Sequence, residues 1–401
     1  MATLVHLEGT TLEGGGQLLR IALGLSSLTG IPIRITNIRG KRSRGGGLKA
    51  QHLTSVQWLG RASNAQLTGA ELKSKEITFT PSTDDIFKWS SDVQISQSTP
   101  GSINLVLQAI LPYLLFSGAK KRMKLRITGG TNVSNSPSYD YVTQVLLPML
   151  AHIGIPPIQS DLHSRGWSQG SNSLGSVTYT IKPLTKPLPS FQLTKRGTIQ
   201  SVQATILAPK SYEQQIRDEL NLMFEKREEA IFGEREPEIG ITFEDSRHDK
   251  RFYLLLVATS TTGIKLGRDW LYDHGVRAGK IDAVISNLVK KVAGDLIGEI
   301  EHGGCVDEYL RDQLVVYQAL ARGQSRVDGG RSNRVLKEPS LHTQTAQWVV
   351  GELIGVQFDE EGSCDGIGFD SGRKIDGERN EEEKELVKGL EKLAVGPPEE
   401  K

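Results

Sequence analysis

His342 lies in Pro339-Ser-Leu-His-Thr-Gln-Thr, a polar cluster at the head of an apolar helical pattern. A neutral imidazole, with an unperturbed pKa of ~6.5, offers a free nitrogen that can act as a covalent nucleophile. Of the eight histidines only His52 shares that setting; the other six sit in charged or loop sequence. Glu13-Gly-Gly-Gly-Gln-Leu-Leu-Arg20 is a glycine-rich turn entering a helix, whose free N–H groups and positive dipole end favour phosphate. It lacks the Gly-Lys-Ser/Thr of a Walker loop and the spacing of GxGxxG. Glu13 is the one carboxylate beside it, and a hard cation bridging to phosphate needs such an oxygen. Arg39-Gly-Lys-Arg42-Ser-Arg44, upstream of Gln51-His52, sets guanidinium groups where they can clasp phosphate in bidentate fashion. Gln108 interrupts the apolar run Leu105-Val-Leu-Gln-Ala-Ile-Leu, and a buried amide without a partner costs ~1 to 3 kcal/mol, so it must face a ligand or a polar network. Tyr309 and Asp312 lie three apart on one helical face, where a tyrosine can stack on a base and an aspartate can orient a histidine or hold a metal. Each motif also has a plainer reading: a turn, a solvated basic loop, a structural amide, a core tyrosine with an exposed acid, and a histidine with no chemistry.

The elements that must position these residues are those of an ordinary globular chain. Its 401 residues carry 48 Lys and Arg against 47 Asp and Glu, a net charge of +1, which excludes a globally basic histone-like protein and a globally acidic disordered one. The balance hides an asymmetry. From Gly14 to Ala70 there is no acid and eight bases, giving +8, whereas Gln357 to Lys401 holds 14 acids and 7 bases, giving −7. An anion-seeking N-terminal region is thus masked by an acidic tail. Two cysteines, Cys305 and Cys364, supply neither a disulfide framework nor a zinc ligand set and fit a reducing compartment. Met1 to Gly16 has no apolar signal core, and the longest apolar run, Leu105 to Phe116, falls short of the ~20 residues of a membrane span. A soluble, intracellular protein with no membrane partner is expected.

Hydrophobic periodicity gives one kind of unit used three times. Helix Gln17–Leu28, strand Ile31–Ile38, helix Leu48–Leu59 and strand Ile77–Phe79 form the first; helix Ser102–Phe116, strand Met123–Ile127, helix Tyr141–Ile153 and strand Val177–Ile181 the second. The third is read from Ile281–Ile297, Asp307–Ala321, and the helix Thr343–Ile354 leading into Val356-Gln-Phe. Between the second and third the texture changes to a strand at Ile199–Leu207, a charged helix at Ser211–Glu228 and a strand at Phe252–Thr259, an inserted smaller α/β domain. The expected divisions are residues 1–185 for the first two units, 186–277 for the insert, 278–368 for the third unit and 369–401 for a charged, mostly disordered tail with a surface helix near Asn380–Leu393.

The ordered motifs together resemble the RNA 3'-terminal phosphate cyclase family. Beyond those quoted, the resemblance rests on Leu7-Glu-Gly, Gly101-Ser, Gly129-Gly-Thr-Asn, Val306-Asp-Glu-Tyr-Leu-Arg-Asp-Gln-Leu-Val, Ala319-Leu-Ala-Arg-Gly-Gln-Ser and Leu341-His-Thr-Gln-Thr-Ala, and runs from Leu7 to about Gly368. It implies an α/β fold of layered helices and sheets, with three repeated βαβαββ-like units in a large domain and a smaller α/β insert. It also implies an ATP-dependent ligase that converts an RNA 3'-phosphate to a 2',3'-cyclic phosphate through a histidine-linked AMP. Its partners are then RNA 3' ends and ATP, with Mg or Mn as divalent cation. By the same resemblance His342 is the nucleophile, with Asp312 near it. Arg20, Gln108, Pro137, Tyr309, Asp312 and Gln313 bind ATP, Pro137 and Tyr309 sandwiching adenine. Arg39, Arg42, Gln51 and His52 meet RNA phosphate and ATP, and Glu13 meets the metal.

A sister group of cyclase-like proteins keeps this fold, lacks the histidine and acts in ribosomal RNA processing; it is the alternative reading, and His342 with Tyr309 and Asp312 speaks for the enzyme. Three segments depart from the cyclase pattern. Ser43-Arg-Gly-Gly-Gly-Leu lacks a proline, Ser98-Thr-Pro-Gly-Ser gains one, and Gly166 to Ser176 has lost a Tyr-Pro-Gly-Gly-Gly-like run, which bears on the positioning of the RNA end. Within the cell the nucleus is favoured over the cytoplasm, Lys41-Arg-Ser-Arg being an import candidate that doubles as a site loop.

Overall fold

A computed structural model describes residues 3–42, 45–82, 91–234, 236, 238–274 and 279–370. The reading of the tail, the proposed helix within it, and Arg44 of the basic loop lie outside the described residues. In the first unit, strand Val5–Glu8 runs parallel to Ile33–Thr36, which pairs antiparallel with Ile77–Thr80, and Gln66–Thr68 closes the sheet. The alternation of the central strand decides its register: Ile33 and Ile35 are buried, while Arg34 points to the other face and meets Glu76 at 2.6 Å. Helices Gly16–Thr29 and Ala50–Ala62 connect the strands. The first ends at Gly30, whose φ of +76° and N–H bond to Ser26 O form a left-handed cap that side chains with a Cβ disfavour.

The second unit repeats this plan strand for strand. Asp92–Ser96 runs parallel to Met123–Gly129, followed by Gly175–Ile181 and Gln159–Ser164, both antiparallel to their neighbours. The third is shorter. Gln192–Leu193 runs parallel to Arg322–Val327, which pairs antiparallel with Ser363–Ile367, and among the described residues no fourth strand joins them. The expected closing strand at Val356–Phe358 therefore lies about a turn further on. Helices Gly16–Thr29, Ile103–Phe116, Glu308–Leu320 and Leu341–Ile354 pack on one another at the centre of the large domain. Their apolar residues join one continuous core, which is why Gly16–Thr29 is buried along most of its length.

The insert has its own sheet, in the order Glu238–Asp245, Ile199–Ala208, Tyr253–Ser260, Lys265–Leu271. Helix Glu213–Phe232 covers it, and so does helix Ile281–Glu301. The sequence reading counts Ile281–Ile297 with the third unit; in the structure this helix, with its buried stripe Val284, Ile285, Leu288, Val292 and Leu296, packs on strands Tyr253–Ser260 and Lys265–Leu271 and on helix Glu213–Phe232 of the insert. A helical stripe says that a sheet will be covered, not which one.

Polar contacts lock the insert to the large domain. Arg165 of the second unit pairs with Asp140 at 2.8 Å and with Glu244 of the insert at 2.7 Å. Arg251 of the insert lies 5.1 Å over the Trp167 ring and donates to Ser171 O at 2.7 Å, holding the divergent segment after Gly166. Asp307, which caps helix Glu308–Leu320, takes hydrogen bonds from Tyr141 Oη and from the backbone N–H of Gly267, both at 2.7 Å. One buried carboxyl thereby joins the second unit, the insert and the third unit, and burial pushes it up to about 6. Among the described residues no helix is long and apolar enough to cross a membrane.

Candidate active site

The glycine turn forms because its carboxylate and backbone must pass closely. A Cβ on Gly15 would collide with the Glu13 carboxylate, and one on Gly16 would stand 2.6 Å from His52 Nε2. Helix Gly16–Thr29 then directs Gln17 and Arg20 to one side. Arg20 Nε donates to Gln108 Oε1 at 2.9 Å, which answers why an amide sits in the apolar helix Ile103–Phe116. Arg20 keeps some surface open but is packed round by protein, and that enclosure lowers its guanidinium to about 10 against the pull of Asp312 and Glu13.

His342 stands in the first turn of helix Leu341–Ile354, capped by Ser340 Oγ, which accepts from Thr343 N–H. Its Nδ1 is 2.5 Å from Gln17 Oε1, and Gln17 Nε2 donates to Asp312 Oδ2 at 2.5 Å. Gln17 is 1% exposed, so no water can stand in for it. The sequence reading places Asp312 close to His342; the structure puts a glutamine between them. Gln17 lies within the quoted motif, and the signal that could have found it is its i, i+3 spacing with Arg20 on a helix otherwise read as apolar. Burial pushes the Asp312 carboxyl up to about 7, opposed by the Gln17 hydrogen bond and Arg20. Burial also lowers His342, with Arg20 and Arg42 adding to that and Glu13 opposing it, so the imidazole is neutral at pH 7. In its ionised form, which prevails above about pH 7, Asp312 can only accept, so Gln17 turns its amide N–H to it and its carbonyl to His342. Nδ1 then carries the proton, and Nε2 carries the lone pair.

A cavity of about 410 Å³ opens beside this relay, a volume suited to a small ligand. Arg20, Gln108, Pro137, Tyr309, Asp312, Gln313 and His342 all line it, so seven of the twelve residues singled out in the sequence share one space. Asn104 Nδ2 holds the Pro137 carbonyl at 2.9 Å. The insert adds Tyr253, Asp269 and Trp270 to the wall. Asp269 accepts from Ser138 Oγ at 2.7 Å and from Tyr253 Oη at 2.9 Å, and its burial raises its carboxyl.

The other five residues belong to the first unit and do not line the cavity. Arg42 forms an ion pair with Glu13. Arg39 donates to Gly47 O at 3.3 Å, and burial and Arg42 lower its guanidinium. Gln51 Oε1 accepts from Ser102 N–H at 3.1 Å and so ties this unit to the loop that gained Pro100. His52 Nδ1 accepts from Lys49 N–H at 3.2 Å; burial, with Arg20, Arg39 and Lys49 nearby, lowers its pKa to about 3 and keeps it uncharged. Glu13 Oε2 is buried without a hydrogen bond. Among the described residues no three His, Cys, Asp or Glu cluster as a metal cage, so a cation here would take one carboxylate and complete its shell from a ligand, as Mg often does.

The fold and the site define a class of layered α/β protein in which arginine, glutamine and a neutral histidine converge on one cavity. A family model described as RNA 3'-terminal phosphate cyclase matches residues 11–359, and the chain belongs to that family. It is 31% identical to an RNA 3'-terminal phosphate cyclase of Drosophila melanogaster, over 91% of this chain and 97% of the relative. It is 32% identical to one of Pyrococcus abyssi, over 90% and 96%, and 32% identical to one of Desulfurococcus amylolyticus, over 81% and 87%.

Proposed function

We propose that the protein is an ATP-dependent RNA 3'-terminal phosphate cyclase working through a covalent histidine–AMP. The observation that carries this reading is the relay from Asp312 through Gln17 to a neutral His342 at the cavity. Nε2 attacks the α-phosphorus of ATP; an N–P bond forms, the bond to the β-bridging oxygen breaks, and pyrophosphate leaves. The imidazole, still protonated at Nδ1, gains positive charge that the relay to Asp312 offsets. An oxygen of the RNA 3'-phosphate then attacks the AMP phosphorus and releases His342. The ribose 2'-oxygen, giving up its proton to water, closes on the terminal phosphorus as AMP departs. Placing AMP on the terminal phosphate eases cyclisation because AMP is a better leaving group than a bare phosphate oxygen.

In this scheme Tyr309 and Pro137 hold adenine, and Arg20, Gln108 and Gln313 hold the phosphates. Arg39, Arg42, Gln51 and His52 guide the RNA phosphate, Gln51 and His52 by shaping the loop. Glu13, with its unsatisfied oxygen, would hold the divalent cation, Mg or Mn, which neutralises phosphate charge when bound. The reading also puts the protein inside the cell, in the nucleus, which imaging of a fluorescent fusion checks. Incubation with ATP labelled at the α-phosphate and Mg or Mn should leave acid-labile label on the wild type and none on His342→Ala. Absence of label on the wild type would sink the proposal and leave the non-catalytic, RNA-processing reading.

A further inference from the structure

The insert does more than wall the cavity. Arg268, on its strand Lys265–Leu271, reaches under the large domain so that its guanidinium carbon stands 4.5 Å from the centroid of the Tyr309 ring. Tyr309 lines the cavity and Arg268 does not, so the cation backs the ring on the side away from the ligand space. The arginine is itself held in place. Its Nη1 lies 3.5 Å from Glu299 Oε1, a buried carboxylate on helix Ile281–Glu301, and its Nη2 donates to Glu308 Oε2 at 3.3 Å. Nε and Nη1 are buried and make no hydrogen bond, so much of this guanidinium faces the ring rather than an acceptor. Tyr141 packs edge-on against Tyr309 with centroids 5.8 Å apart at 80°, which closes a second side. Tyr309 is thus held by a cation over one face and by a ring set nearly perpendicular to its own, and at 39% exposed it keeps surface open to the cavity.

We infer that Arg268 is a positioning residue through which the inserted domain sets and polarises the Tyr309 ring as a platform for the nucleobase. A cation on one face draws electron density from the ring and improves stacking of an electron-rich purine on the other. Lysine cannot replace it fully, because only the planar guanidinium stacks flat. The inference rests on the reading that the cavity takes ATP with its base at Tyr309.

The test measures the rate of label uptake from α-labelled ATP by the full-length protein against ATP concentration. Arg268→Met should raise the KM for ATP about tenfold, ~1.4 kcal/mol, with the saturating rate within about twofold of wild type. Arg268→Lys, which keeps the charge beside Glu299 and Glu308, should raise it about threefold. Inorganic tripolyphosphate, which has no base, should compete equally well against wild type and both variants. In a Tyr309→Leu background, Arg268→Met should add no further loss. An unchanged KM in Arg268→Met overturns the inference; if that variant does not fold, an unchanged KM in Arg268→Lys does so. Weakened competition by tripolyphosphate, or full additivity with Tyr309→Leu, also overturns it. Failure of the wild type to take up any label is a different outcome and removes the cyclase reading itself.

Discussion

Replacing Gln17 by methionine keeps the volume and removes both ends of the relay. His342 Nδ1 loses its acceptor and Asp312 loses its amide donor, keeping Arg20 nearby and Gln313 at 3.4 Å. A hydrogen bond between neutral groups contributes ~0.5 to 1.5 kcal/mol and one to a carboxylate ~1.5 to 3, so ~2 to 4 kcal/mol of orientation is at stake. What that orientation secures is the proton on Nδ1 and the lone pair on Nε2. Without it the imidazole samples the other tautomer and other rotamers, and the reactive form becomes scarce. At ~1.4 kcal/mol per decade, the first-order rate of adenylylation should fall about 30- to 1000-fold at saturating ATP. The assay is a rapid-quench measurement of acid-labile label on the protein in a single turnover. Gln17→Glu should retain more activity, because one carboxylate oxygen can still accept from Nδ1–H. Its rate should also gain a new pH dependence, since the introduced carboxyl and Asp312 would share a proton. A Gln17→Met rate within threefold of wild type, in protein that melts like wild type, would refute the relay.

Two further outcomes follow from the same geometry. Asp312 sits near 7 in the folded protein against ~3.9 for an unperturbed aspartate, so its ionisation weighs against the fold increasingly between about pH 4 and pH 7 and constantly above. Asp312→Asn should therefore melt higher than wild type at pH 8 but not at pH 4, while the rise of wild-type adenylylation through pH 7 disappears in the variant; scanning calorimetry and a pH–rate profile check the two halves. Glu13→Gln should raise the divalent-ion concentration needed for half-maximal adenylylation about tenfold, with ATP saturating. An unchanged ion dependence in that titration would remove Glu13 from the metal role.

Long, strongly patterned elements are legible in the sequence: the helices Gly16–Thr29 and Ile103–Phe116 and the strands Ile199–Ala208 and Tyr253–Ser260 fall within a few residues of expectation. Arg322–Val327 is not, because Arg-Gly-Gln-Ser-Arg-Val has little strand character of its own and is a strand through pairing on both edges. The cavity-lining residues carry recognisable types, Tyr309 and His342 near helix starts and Gln108 as an amide inside an apolar helix, and that makes them visible before any fold is known. Gln17 and Arg268 escape such a reading because their importance is a relation. One is defined by two side chains some 300 positions away, the other by a ring on a different domain, and neither relation leaves a local trace.

Asp307, Gln17 and Arg268 have in common that each joins pieces of chain distant in sequence. The walls of the cavity come from all four parts: Arg20, Gln108, Trp270 and His342 stand in the first unit, the second unit, the insert and the third unit. No nascent or clipped chain that lacks any one of them can assemble the pocket, so self-labelling with nucleotide would report completed folding. On the cyclase reading proposed above, His342 would stay inert on the ribosome until helix Leu341–Ile354 had docked.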